Sequence, residues 1–219
     1  MSTENITLLL QNKPLISAYE YTYIWTDGNG GIRNKSMINQ YGKFDEVPWW
    51  TYDGSSTNQA KGYRSDVRLK PVSIFTDPFQ EKGFLVLCET YVYDHEKCIV
   101  VPHETNSRHS CLQVMESVLE EEPQFGVEQE YILYDRYGLP MDWINNTDPG
   151  LGKQGPYYCS VGGDRAFGRN IVIEHKDMCL KAGVKICGTN AEVMASQWEY
   201  QIGVCNGIEI GDHMLLARY

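Results

Sequence analysis

No stretch of this 219-residue sequence approaches the roughly 20 consecutive apolar residues that a bilayer-spanning helix requires. The opening residues, Met1 to Leu10, carry neither the basic region nor the cleavage site of a secretory signal. Basic residues are also in short supply. Nineteen Lys and Arg stand against 29 Asp and Glu, a net charge of -10. That balance argues against nucleic acid or an anionic membrane as the main partner. The seven cysteines (Cys88, Cys98, Cys111, Cys159, Cys179, Cys187 and Cys205) include no C-x-x-C pair. Their spacing therefore indicates neither a zinc site nor a thioredoxin-like centre, and an intracellular, reducing location, the cytoplasm, is expected. Neither G-x-x-x-x-G-K-[ST] nor G-x-G-x-x-G occurs, so the glycine-rich run Val161 to Arg169 is a weak anion loop. There is no internal repeat.

What is present is a globular composition, 42% hydrophobic and 12% aromatic. The first half reads as β-rich. Tyr19 to Trp25 and Ile32 to Ser36 flank Asp27-Gly-Asn-Gly-Gly31, a hairpin pattern, and Phe84 to Tyr93 and Lys97 to Val101 read as further strands. The stretch from Pro48 to Phe79 is aromatic and then turn-rich, with little regular periodicity. From about Val101 helices alternate with strands. Cys111, Val114, Met115, Val118 and Leu119 follow helical spacing behind an Asn106 or Ser107 cap. Gly126 to Tyr134 is expected as a strand, and Gly138 to Pro156 as a long surface loop. A helix through Ile171, His175 and Ala182 ends at Gly183, with His175 on its apolar face as a core residue. Two strands joined near Met194 to Ser196 follow, and then a final amphipathic helix from Gly211.

Two runs carry the chemistry. Glu128 and Glu130 alternate in one strand-like segment, while Glu192 and Glu199 sit among apolar, aromatic and small residues in another. Strand residues two apart share a face, so the first pair points one way. Carboxylates crowded in such company call for hydrogen bonds, a cationic partner or a metal. An all-oxygen donor set suits Mg²⁺ or Mn²⁺.

Six strings resemble eukaryotic-type (type II) glutamine synthetase, in that family's order. They are Tyr52 to Ala60, Phe125 to Tyr131, Gln154 to Cys159, Gly188 to Met194, Gln197 to Gly203 and Gly211 to His213. The resemblance implies an α+β chain: an extension at 1–17, a small N-terminal β-grasp domain at 18–102, and the first part of an α/β catalytic domain at 103–219. It implies a glutamate–ammonia ligase that consumes ATP, with L-glutamate, ammonium and ATP as substrates, Mg²⁺ or Mn²⁺ as metal, and γ-glutamyl phosphate as intermediate. By motif, Glu130, Glu192 and Glu199 resemble ligands of one metal and Glu128 a ligand of the other. Glu199, Tyr200, Gln201, Ile202, Gly203 and Val204 resemble a nucleotide-contacting strand. Asp53, Tyr158 and Glu192 resemble a pocket that binds ammonium and removes its proton, with the aspartate supplied by a neighbouring subunit of a homo-oligomeric ring.

The departures from the pattern are Gln124 for an aromatic residue, Ala195 and Val204 for prolines, and Ser107 within an Asn-His-Arg string. The family's later arginine-bearing motifs are absent, so the chain is expected to be a truncated ligase, inactive alone or completed by a separate C-terminal half. The alternative is a non-catalytic half-protein that binds metal or nucleotide, or a regulatory subunit of an intact ligase.

Overall fold

The computed structural model describes residues 18–141 and 155–219. Most of the expected 138–156 loop, and the whole 1–17 extension, lie outside them. The chain builds two sheets. The first contains β1 (Tyr19–Thr26), β2 (Ile32–Asn39), β3 (Trp50–Asp53), β4 (Asp66–Thr76), β5 (Gly83–Asp94) and β6 (Ile99–Pro102), in the order β2-β1-β5-β4-β3 with β6 also on β5. The β1–β5 pairing is parallel and the others are antiparallel.

The expected hairpin forms because Asp27 ties its own loop. Its carboxylate accepts the N–H groups of Asn29 (2.9 Å) and Gly31 (2.8 Å) and the Nε of Arg33 (2.6 Å). Gly30, at φ 80°, makes the tight turn. The β1 strand is buried on both faces. Tyr21, Tyr23 and Trp25 pack with Tyr52, Val67 and Leu69, while Ile24 turns the other way toward Leu85 and Leu87. Such a strand reads as a continuous apolar run, which is why the sequence pattern found it.

The turn-rich reading of Pro48 to Phe79 is corrected. Eleven of its residues form β4, the partner of both β3 and β5. Its alternation runs from Asp66 to Lys70 and breaks at Pro71, where the register shifts between Pro71 and Ser73. A proline and a bulge disguise a strand in this way.

The second sheet has the order β7-β9-β8, with β7 (Gln124–Ile132), β8 (Ile186–Ala191) and β9 (Gln197–Asn206) all antiparallel. Three helices accompany it: α1 (Ser107–Ser117), α2 (Arg169–Ala182) and α3 (Glu209–Arg218). Asn106 caps α1 through the His109 N–H, and α2 stops at Gly183, φ 97°, as expected. No residue of α1 is buried, so its apolar spacing does not mark a core face. Instead Leu112, Met115 and Leu119 line an open groove with Pro123 and Ile208. The His175 ring stacks near Tyr131 and Tyr200 and its Nε2 bonds the Ala217 carbonyl at 2.9 Å, so it is a packing residue.

One apolar cluster crosses from the first sheet (Ile24, Leu85, Leu87) to α2, β9 and α3 (Cys179, Tyr200, Ile202, Met214, Leu216). Beside it runs a buried ionic clamp. Arg108 of α1 donates Nε and Nη2 to Asp212 of α3 (2.7 and 2.9 Å) and Nη1 to Glu89 of β5 (2.9 Å). Burial alone would raise the Glu89 carboxyl, but the Tyr91 hydroxyl and Arg108 outweigh it and hold it below the usual range. Replacing Arg108 with Ala leaves two buried carboxylates without their cation. It should cost roughly 3–5 kcal/mol, read as a lower urea midpoint at unchanged slope. A loss below about 1 kcal/mol would show that the clamp contributes little to stability.

Candidate metal centre

Backbone register assembles the site. In the β7–β9 ladder Glu130 lies directly opposite Glu199, and in the β8–β9 ladder Asn190 lies opposite Glu199 on its other side. The neighbours one step away, Trp198, Tyr200 and Ile202, point to the opposite face, where they are 1–3% exposed in the core. The apolar face thus dictates which side the carboxylates occupy. Glu192 follows β8 in the connection to β9, pinned by its own N–H to the Gln197 carbonyl at 2.8 Å. Carboxylate oxygens of Glu130, Glu192 and Glu199 lie within 4.8 Å of one another, Glu192 and Glu199 being buried and Glu130 exposed.

Each carboxylate is held by an amide. Asn190 Nδ2 donates to Glu192 Oε1 (3.0 Å), Gln197 Nε2 to Glu130 Oε2 (2.7 Å), and Gln201 Nε2 to Glu199 Oε1. Gln201 also donates to Asn190 Oδ1 at 2.8 Å, linking the holders. Sequence reasoning missed these amides. Their signal is the alternation of Gln197, Glu199 and Gln201 on one strand face. Among the described residues, every ion pair of an Asp or Glu lies elsewhere. Burial raises the Glu199 carboxyl; the Gln201 amide opposes this, and the charges of Glu128, Glu192 and Glu130 raise it further. Amides orient the oxygens but leave the charge uncancelled, so the arrangement suits a hard divalent cation.

The other expected site residues divide. Glu128 sits opposite Gln201 on the same face, close enough to act on Glu199 but outside the three-carboxylate group. Tyr158 is brought to the site, because Cys159 N–H bonds the Ala191 carbonyl (2.9 Å) and Gly155 N–H the Val193 carbonyl (3.1 Å). Its phenol is pushed up by Cys159 first, then by Glu192 and Glu199. Tyr200 and Ile202 are on the buried face of β9, whereas Val204 is exposed. Asp53 is not brought in. It ends the edge strand β3, is exposed, and accepts the Ser55 N–H (3.0 Å) and hydroxyl (2.7 Å), which hold its carboxyl low and cap the following 3₁₀ turn.

A raised folded pKa stabilises the fold below the unfolded value near 4.5 and is lost as pH rises through the folded value. At neutral pH Glu199 therefore destabilises the metal-free chain. Glu199→Gln should raise the metal-free Tm at pH 7 while removing the increment that Mn²⁺ gives the unaltered protein. That increment is about 2.7 kcal/mol at a hundredfold excess over Kd. A Tm indifferent to millimolar Mn²⁺ would count against a cation site.

Comparison with known proteins bears on the family and the fold. Residues 19–93 match the family model described as glutamine synthetase, beta-Grasp domain. Glutamine synthetase of Xenopus laevis is 50% identical over 204 residues, 91% of this chain and 50% of that protein. The Rattus norvegicus enzyme is 46% identical over 220 residues, 99% and 57% respectively. The chain thus spans about half the length of the curated relatives it matches. Among solved structures, Plasmodium falciparum glutamine synthetase matches with TM-score 0.67 and 12% identity, over 100% of this chain and 47% of that one. A GmaS/ADP complex also matches at 0.67, with 15% identity, over 91% and 44%. These structures support the fold: α+β, a β-grasp domain followed by part of a catalytic domain.

Proposed function

Because this chain is homologous to eukaryotic-type glutamine synthetases over roughly the N-terminal half of their length, we propose that it carries the cation and ammonium portion of a glutamate–ammonia ligase. The reaction is formation of glutamine from L-glutamate, ammonia and ATP through γ-glutamyl phosphate. The observation behind this reading is the meeting of Glu130, Glu192 and Glu199 at one point without a cationic partner among the described residues. These three residues would hold Mg²⁺ or Mn²⁺, with Glu128 beside them as donor to a second ion. Bound there, the cation supplies charge neutralisation for phosphoryl oxygens.

The chain's own residues do the rest of what this half can do. Glu192, oriented by Asn190 and by the Val193 N–H (3.1 Å), presents a fixed carboxylate to an ammonium ion and accepts its proton. Tyr158, next to it and largely exposed, supplies a ring and hydroxyl at the mouth of that pocket. The Glu199 to Val204 segment, central in its sheet, would meet the nucleotide through the face that carries Glu199 and Gln201 and through exposed Val204, because Tyr200 and Ile202 are buried. Asp53 lies on an exposed edge strand and reaches an ammonium pocket only across a subunit boundary, which requires a ring or similar homo-oligomer. Coexpressing Asp53→Ala with Glu192→Ala chains should restore ammonium-pocket function in the mixed assembly, because at a mixed boundary both lesions fall in one pocket and leave another intact.

Transfer of the phosphoryl group also needs bidentate cations, and five of the eight arginines are engaged elsewhere. Arg33 pairs with Asp27, Arg108 with Glu89 and Asp212, and Arg165 with Asp164. Arg169 bonds the Ser160 carbonyl and lies over Trp198, and Arg218 bonds Gln129. Residues 1–219 alone should therefore make glutamine at least 10³-fold more slowly than an intact ligase. The check is an ATP-dependent glutamine assay with Mn²⁺. Recovery on adding the remaining half of a relative supports a complemented ligase. Turnover by residues 1–219 near that of an intact enzyme overturns the reading. The coarser alternative, a regulatory half-protein, predicts binding to an intact ligase with no recovery.

A further inference from the structure

The end of β9 and the first turns of α3 assemble a second donor group that the glutamine chemistry leaves unused. Cys205, Glu209 and His213 each offer one donor atom, and the three atoms lie within 4.8 Å of one another. Glu209 and His213 are four residues apart on α3 and so share a face. Gly207, at φ 44°, turns the chain between strand and helix, which sets Cys205 against that same face. Cys205 and His213 are buried, 1% and 5% exposed, and the imidazole is seated edge-on against Phe75.

We propose that Cys205, Glu209 and His213 form a zinc site separate from the carboxylate centre. One sulfur, one nitrogen and one oxygen make a borderline-soft set that suits Zn²⁺ and not the hard ions expected at Glu130, Glu192 and Glu199. Tetrahedral zinc with bonds of about 2.0–2.3 Å holds its ligands about 3.3–3.8 Å apart, so this cluster needs only a modest closing movement. Three protein ligands leave a fourth position. Glu209 and His213 border an open cleft with Thr76, Lys185 and Ile208, from which water would complete the set. The absence of a C-x-x-C pair does not exclude this site, because its spacing is Cys-x₃-Glu-x₃-His across a strand–helix junction.

Lys185 holds the place of the cation in the metal-free chain. Its Nζ lies 2.7 Å from Glu209 Oε1, and its side chain is 45% exposed and free to swing into water. That ammonium, first among the causes, keeps the Glu209 carboxyl low and therefore ionised. The imidazole Nδ1 accepts the Lys185 backbone N–H at 3.3 Å and Nε2 faces Glu209 at 3.4 Å, both long contacts. Capture of zinc at Nε2 moves the ring proton to Nδ1, and it gives up the long Lys185 N–H bond, the Nε2–Glu209 contact and the Lys185 Nζ pair with Glu209. The Cys205 thiol, pushed up by burial, loses its proton to solvent as the Zn–S bond forms.

The test is titration of the 219-residue chain with Co²⁺ and then Zn²⁺ under reducing conditions. The expected result is a thiolate-to-cobalt charge-transfer band with tetrahedral d–d absorption at one equivalent, displaced by Zn²⁺. Cys205→Ser and His213→Gln should remove the band, and Cys159→Ser and Cys187→Ser should keep it. Lys185→Met is the independent variant, because it alters an exposed side chain outside the donor set. It should bind Zn²⁺ roughly fivefold tighter, the size of effect that loss of a partly exposed competing ion pair supplies. The proposal is overturned by the absence of a thiolate band, by a band that survives in Cys205→Ser, or by a Lys185→Met chain that binds no tighter.

Discussion

Glu130 and Glu199 face each other across an antiparallel ladder, a placement that costs stability in any sheet without a cation. Much of the second half of the molecule is arranged to sustain that conflict. Trp198, Tyr200 and Ile202 fill the opposite face of the same strand, so a one-residue slip would expose them and bury the carboxylates. The register therefore cannot relax to separate the charges. Asn190, Gln197 and Gln201 direct the oxygens without neutralising them, and Gln201 joins two of these arms. The result is a set of oriented oxygens whose repulsion is stored in a rigid sheet.

That sheet has to be anchored to the first one. The apolar cluster through Ile24, Leu87, Tyr200 and Met214 provides area, and the Arg108 clamp provides direction. Glu89, Arg108 and Asp212 come from three elements far apart in the chain, so the clamp sets the position of α3 against β5. The Cys205, Glu209 and His213 group joins the start of that same helix to the end of the strand that carries Glu199. Metal chemistry of two different kinds would thus act on the two ends of β9.

Local periodicity made part of this legible. Glu128 and Glu130 announced a shared strand face, Asp27 to Gly31 announced a hairpin, and Gly183 announced a helix stop. The β4 strand stayed hidden because Pro71 and the bulge beside it break its alternation after Lys70, although its pairing with β3 and β5 is extensive. The spacing along α1 announced a helix but not its surroundings, because periodicity reports amphipathicity and not what covers it. The Arg108 clamp was illegible for a different reason: its partners lie 19 and 104 residues away, and no local pattern joins them. The Cys205 group was passed over because the reading looked for paired cysteines and not for a thiol preceding a helical Glu-x₃-His.

On the proposed reading, a divalent cation relieves the crowding of charge at Glu199. The direct measurement is the ¹³C chemical shift of the Glu199 carboxyl, followed through a pH titration with and without Mg²⁺. The expected result is a metal-free midpoint above that of an ordinary glutamate, displaced downward when Mg²⁺ is added. A midpoint that Mg²⁺ leaves unmoved, or one that already lies in the usual carboxylate range, would contradict it.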